Sequence, residues 1–288
     1  MYEIVKHYRD QEHLRHSFNK LAEKTFGLNF EGWYRNGYWS ENYDPYSVLV
    51  DGEIVANVSV NTTDLRVDGE IRHLIQLGTV MTEERYRNRG MIRAIMAEIQ
   101  ADWADKSDGM YLFANDSVLD FYPKFGFRKG KEYEYTKDVF LTGNGSMIPV
   151  PMETPAQWKL LEAAIGENQF RGACDLVGNA QLIMFYVTQY MQNCVYLDEE
   201  SGAYVIAERE GDTLRLLNVF ASQPMSLDQV ISRFGSEIRH VVLGFAPVNS
   251  TGYRITALRE DDCTFFIKGS IFDSFEREEL RIPALAHA

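Results

Sequence analysis

Apolar positions in the first half of the chain follow two different spacings, and the change from one to the other organises the reading. Leu74 to Thr82 is apolar, β-prone and free of proline, which predicts a buried strand. From Met91 the apolar residues Met91, Ile92, Ile95, Met96, Ile99 and Trp103 recur at helical spacing and predict an amphipathic helix. Between the two lie Arg85, Tyr86, Arg87, Asn88, Arg89 and Gly90. A strand that feeds a basic, glycine-bearing turn at a helix start suits an anion. The first-turn N–H groups have no partner within the helix, and the helix dipole is positive there. Glycine lets the backbone approach a ligand without a Cβ in the way.

Upstream, Tyr2 to Lys6 predicts a short strand, and Gln11 to Thr25 a helix that stops at Gly27. Asp51-Gly52 and Asp68-Gly69 each join alternating apolar runs and predict two hairpins, so three antiparallel strands lead into the basic turn. Met110 to Ala114 predicts a further strand, which must lie parallel to the one ending near Thr82. Leu141 to Pro151 carries Gly, Ser and Pro and reads as a linker. Beyond it, Thr154–Ile165 and Asp175–Gln192 predict helices. Val195–Leu197, Ala203–Glu208 and Thr213–Ala221 predict strands, with a turn at Gly211-Asp212. A short helix capped by Ser226 follows, then strands at Val241–Phe245 and Thr264–Lys268.

Composition narrows the class of protein. The chain has 288 residues, enough for one large domain or two smaller ones. No apolar run is long enough to span a bilayer, so the expected location is cytoplasmic with no membrane partner. The formal charge of −13 argues against nucleic acid, whose phosphates need an excess of Lys and Arg. It is first of all what keeps a cytosolic protein in solution, and secondarily a match for a cationic amine. Cys174, Cys194 and Cys263 are odd in number and widely spaced, which predicts reduced core residues and no metal site.

Arg87-Asn88-Arg89-Gly90-Met91-Ile92 resembles the Arg/Gln-x-x-Gly-x-Gly/Ala signature with which the GNAT N-acetyltransferases seat the pyrophosphate of acetyl-CoA. Ile92 departs from the pattern; that weakens the match and leaves the N–H donors in place. The segment from Asn115 to Phe127 resembles the family's second signature at Asn115, Tyr122, Gly126 and Phe127. The resemblance covers about the first half of the chain. It implies an α/β GNAT fold, a mostly antiparallel mixed sheet with a splayed parallel pair, over residues 1–140. With 141–151 as linker, residues 152–288 read as a degenerate second GNAT-like domain, as in the Eis-type acetyltransferases. Its Ser222-Gln223-Pro224-Met225-Ser226 lacks glycine, and Pro224 lacks an N–H, so no second coenzyme site is expected there.

By the same resemblance, acetyl-CoA is the cosubstrate and a primary amine of a small molecule the acceptor. Val80, Met81 and Thr82 would pair with the pantetheine arm. Arg87, Asn88, Arg89, Gly90, Met91 and Ile92 would hold the pyrophosphate, and Asn115 and Tyr122 would also bind the coenzyme. Tyr122 matches the general acid that protonates the departing thiolate. The glutamate that many members use near the amine has Gln76 as its counterpart, and an amide cannot accept a proton. His73, the terminal carboxylate of Ala288 as in Eis-type enzymes, and a water-mediated route to solvent are the substitutes. The aromatic stretch from Phe30 to Tyr46 would border the acceptor site, with most rings packing the core and one or two lining the pocket. A protein or peptide amine is the alternative acceptor, and a non-catalytic acyl-CoA sensor the alternative function.

Overall fold

The computed structural model describes residues 3–287. In chain order it begins with β1 (Glu3–Val5), α1 (Glu12–Phe26) and α2 (Glu31–Arg35). There follow β2 (Tyr43–Val50), β3 (Glu53–Val67), β4 (Glu70–Thr82), α3 (Met91–Trp103) and β5 (Gly109–Ala114). Helix α1 ends where a left-handed glycine is needed: Gly27 has φ 70°, and its N–H caps Glu23 O. Both Asp-Gly turns form. Asp51 and Asp68 have φ 51° and 52°, each followed by a glycine at 79°, the pair of positive φ values that a two-residue hairpin requires. The runs Ile54–Asn61 and Leu65–Val67 are one continuous strand, β3.

The remaining elements are β6 (Arg128–Lys129), β7 (Tyr133–Asp138), β8 (Met147–Pro149), α4 (Pro155–Gly166), β9 (Cys174–Val177) and α5 (Ala180–Gln189). Then come β10 (Val195–Asp198), β11 (Ala203–Glu210), β12 (Thr213–Phe220), α6 (Leu227–Ser232), β13 (His240–Leu243), β14 (Arg254–Ala257), β15 (Thr264–Lys268) and α7 (Ile271–Arg277). Thr154 and Ser226 cap α4 and α6, each in a reciprocal bond with a glutamine three residues on. The helix expected over Asp175–Gln192 begins only at Ala180. Residues Cys174 to Val177 are instead a strand on the end of β3, beyond the reach of β2. Short apolar segments carry no periodicity long enough to separate the two states. No helix among the described residues is long and apolar enough to cross a membrane.

Two mixed sheets result. The first has the order β1-β2-β3-β4-β5-β15-β6, and the second β14-β7-β13-β12-β11-β10-β8. Sheet membership crosses the expected linker. Strand β15, from the far end of the chain, covers the edge of β5, while β7 lies between β14 and β13. β8 lies within residues 141–151 and pairs with β10. Apolar packing is shared in the same way: Leu65 and Tyr111 of the first sheet join Val205, Leu214 and Val241 of the second in one buried cluster. An uncovered β5 edge would invite pairing with other chains; the exchanged strand closes it.

Candidate active site

The site begins where two parallel strands part. β4 and β5 pair only from Leu74–Gly109 to Leu77–Leu112. Past Leu77, β4 runs on to Thr82 bound to β3 alone, so one backbone edge of Gly78–Thr82 faces a gap. A β-bulge sits at the parting: Thr79 and Val80 together oppose Val58, and Thr79 has φ 47°. A β-branched residue in that region costs about 1–3 kcal/mol, so its surroundings must hold it. They do so with a buried polar network. Asn57 Nδ2 donates to Thr79 O at 2.9 Å, Ser47 Oγ donates to Asn57 Oδ1 at 2.8 Å, and the Tyr43 and Thr79 hydroxyls lie 2.6 Å apart.

The basic turn closes one end of the gap. After a 3-10 turn at Glu84–Tyr86, Asn88 (φ 61°) and Gly90 (φ 79°) bring the chain into α3. Gly90 occupies the N-cap without a side-chain cap, and the first helical bond is Ala94 N to Gly90 O at 3.1 Å. The N–H groups of Met91, Ile92 and Arg93 therefore have no partner inside the helix. A Cβ on Gly90 would meet no atom within 4 Å, so the left-handed φ, and not crowding, calls for glycine. The guanidinium groups of Arg85 and Arg89 lie 5.0 and 5.1 Å from the Tyr86 ring centre, and Arg87 Nε donates to Thr82 O at 3.4 Å.

These segments line one cleft of about 1050 Å³. Val80, Met81, Thr82 and all of Arg87 to Ile92 form one side, and Asn115 and Tyr122 lie on the other. Asn115 is held from the second half of the chain: Asp262 accepts from its Nδ2 at 3.0 Å and from the Asp116 N–H at 2.7 Å. Tyr122 is only 5% exposed, packs on Phe121, Phe127 and Phe266, and makes no hydrogen bond among the described residues. Burial pushes its phenol up to about 12.

At the other end, Gln76, Phe113, Tyr186 and His287 complete the lining. His287 stacks on Phe113 with ring centres 3.8 Å apart, and Tyr186 Oη donates to its carbonyl. Burial lowers the imidazole to about 3. Ala288 lies outside the described residues. His73 does not reach the cleft: its ring is exposed and bonded to Asp64 at 2.8 Å. Of the aromatic stretch, Trp33 and Tyr43 line a smaller chamber beside Thr79, while Tyr38, Trp39 and Tyr46 are buried elsewhere. Tyr186 and His287 carry no local signal in the sequence, since only the docking of α5 and of the C-terminal segment brings them here.

The second sheet repeats the parting of strands and closes it with the chain's own tail. β12 and β13 pair in parallel only as far as Leu216–Leu243. In the gap, Ala284 N donates to Gly244 O at 2.7 Å, and a Cβ on Gly244 would lie 3.1 Å from Ala284 Cβ. The same segment continues to His287 in the first cleft.

Residues 8–130 match the model of the acetyltransferase (GNAT) domain. No curated protein matches the chain. Among solved structures, a conserved protein of unknown function from Enterococcus faecalis aligns with TM-score 0.62 at 17% identity, over 96% of this chain and 74% of that one. Eis1 from Mycobacterium abscessus aligns with TM-score 0.57 at 15% identity, over 92% of this chain and 73% of that one. A GCN5-related N-acetyltransferase from Anabaena variabilis gives 0.56 at 13%, over 92% and 72%. Likeness at such identities speaks for the fold alone. Over residues 8–130 the chain is similar to the acetyltransferase (GNAT) domain, and as a whole it has a mixed α/β fold of two sheets.

Proposed function

We propose that the protein is an acetyl-CoA-dependent N-acetyltransferase acting on a primary amine of a small molecule. The observation that carries this reading is the shared cleft. A left-handed glycine turn with three N–H groups that lack a partner inside the helix, a strand edge freed by a bulge, and a buried tyrosine all line it. Acetyl-CoA supplies the activated acetyl thioester. The Met91, Ile92 and Arg93 N–H groups and the charges of Arg87 and Arg89 suit its diphosphate. The free edge of Val80 to Thr82 suits the pantetheine amides, which can pair with it as a strand would. A backbone N–H at the parting can donate to the thioester oxygen as charge develops there.

In the transfer, the amine nitrogen forms a bond to the acetyl carbon and the carbon–sulfur bond breaks. Tyr122 donates its proton to the departing thiolate. The proton lost by the amine passes to water and so restores the phenol, because Gln76 has no site to accept it. The second sheet takes no coenzyme on this reading: its gap holds residues 284–286, and its turn has Pro224 in place of glycine. The side chain at position 76 favours one other reading, a sensor that binds acyl-CoA without turnover. Calorimetry with coenzyme A, followed by thiol release from acetyl-CoA across a panel of amines, separates them. Binding with release supports the enzyme, binding without release the sensor, and no binding removes both.

The turn itself gives a sharper expectation. Gly90→Val places a β-branched residue at φ 79°. The strain should cost about 1–2 kcal/mol of stability, a fall in Tm of about 3–6 °C. Affinity for coenzyme A should weaken by at least about tenfold, since the N–H cradle is reshaped where the diphosphate sits. Unchanged affinity, measured by calorimetry on folded variant, would locate the diphosphate elsewhere.

A further inference from the structure

Beside the cleft lies a second chamber of about 190 Å³. Phe26 and Thr79 line both, so the chamber adjoins the cleft at the bulge. Its walls are ring faces: Phe30 and Phe185 stack at 5.5 Å, and Trp33 meets Phe185 and Tyr43 edge-on at 5.2 and 5.4 Å. The polar handles of these rings are already used. Trp33 Nε1 donates to Gln181 O at 2.9 Å, and the Tyr43 hydroxyl is bonded to Thr79. A polar or charged group entering the chamber would lose its water and find no partner. The charged side chains lining the adjoining cleft, among the described residues, are Arg87, Arg89 and Arg93, which repel a polycation.

We propose that this chamber seats the body of the acceptor, and that the acceptor is a monoamine on a compact apolar group, an aralkylamine or branched alkylamine. The inference rests on the acetyltransferase reading above and specifies its substrate class. Size fits one six-membered ring: a dry apolar cavity of about 150 Å³ is enough to hold benzene. The chamber also has its own solvent side, where Phe26 is 43% exposed and Leu28 half-buried. A substrate can enter there without passing the coenzyme seat, as an acceptor must and an acyl chain need not. With the ring in the chamber and the amine at its Thr79 end, the nitrogen points into the cleft toward the freed strand edge. Leu182 and Phe185 come from α5, so the second half of the chain selects the acceptor.

The test is thiol release from acetyl-CoA with 2-phenylethylamine, isobutylamine and spermidine, in wild type, Leu28→Trp and Leu28→Ala. Leu28 stands on the rim outside the coenzyme seat, and calorimetry with coenzyme A checks that each variant is folded. The expected result is kcat/KM for 2-phenylethylamine at least about tenfold above that for spermidine. Leu28→Trp should remove most of this preference, and Leu28→Ala should admit a naphthyl-sized amine. Preference for spermidine, or amine turnover indifferent to the body of the substrate, overturns this inference and leaves the acetyltransferase reading standing. So does a Leu28→Trp variant whose amine preference is intact but whose choice between acetyl-CoA and hexanoyl-CoA has changed, for then the chamber holds the acyl chain. Coenzyme binding with no release from any amine overturns both.

Discussion

Tyr122→Phe is expected to lower kcat by about 100-fold, or about 2.7 kcal/mol of barrier, while affinity for coenzyme A stays within about twofold. The ring packs against Phe121, Phe127 and Phe266, and phenylalanine preserves those contacts. The hydroxyl makes no hydrogen bond among the described residues, so its removal leaves no partner stranded and Tm should hardly move. What is lost is the proton. The buried phenol is protonated throughout the working range; because a thiol's ordinary value is about 8.5, donation to the thiolate is uphill and is completed as the phenolate takes back the amine's proton through water. Burial has pushed this phenol up to about 12, which also predicts that ionisation of Tyr122 produces no basic limb in kcat below about pH 10. Steady-state thiol release across pH tests both statements. Turnover unchanged in the variant would remove Tyr122 from the chemistry, whereas a parallel loss of coenzyme affinity would make it a binding group.

Stability should fall as pH rises from about 4.5 to about 7, by about 3 kcal/mol from Glu132 alone. This carboxyl is buried, and desolvation raises it from the ordinary 4.5 to about 7 despite Arg281 nearby. The folded protein therefore holds a proton that the unfolded chain has released across that window. A raised acid stabilises fully below its unfolded value, and the contribution is gone once pH passes the folded one. Glu132 accepts from the Ile282 N–H at 2.8 Å, so its charge state bears on the tail that runs from there to His287. Glu132→Gln keeps an acceptor oxygen and has no charge to lose. His287 acts in the opposite sense: an imidazole lowered to about 3 stabilises above the usual histidine range and loses that contribution as pH falls. The difference between wild type and Glu132→Gln in urea unfolding, taken at each pH, isolates the carboxyl. That difference should grow in favour of the variant between about pH 5 and pH 8. A flat difference would mean that Glu132 ionises in the fold as it does in water.

Much of the first half was readable because its signals are local. Helix α3 shows its face in every turn, the two Asp-Gly turns demand positive φ, and Gly90 announces a left-handed residue at a helix start. The pairing of β4 with β5 followed from the helix between them, which leaves a parallel return as the short solution. In the second half, β9 was hidden in an apolar run that could equally have been helix, and β8 in a stretch rich in turn residues. Each is a strand because a neighbouring edge was free to bond it.

The order of residues by itself determined the turn proposed to seat the coenzyme, because a strand, a basic turn and a helix adjacent along the chain need only local bonds to form it. It determined Tyr122 in the same way, through the short segment that follows β5. Tertiary structure alone decided which strands share a sheet, what fills the second gap, and what completes the lining of the cleft. Thr79, Phe185 and His287 are separated by more than a hundred positions from one to the next, and no periodicity links them. Burying apolar area and satisfying strand edges over the whole chain is what brings them to one place, and that sum is not visible in any short window.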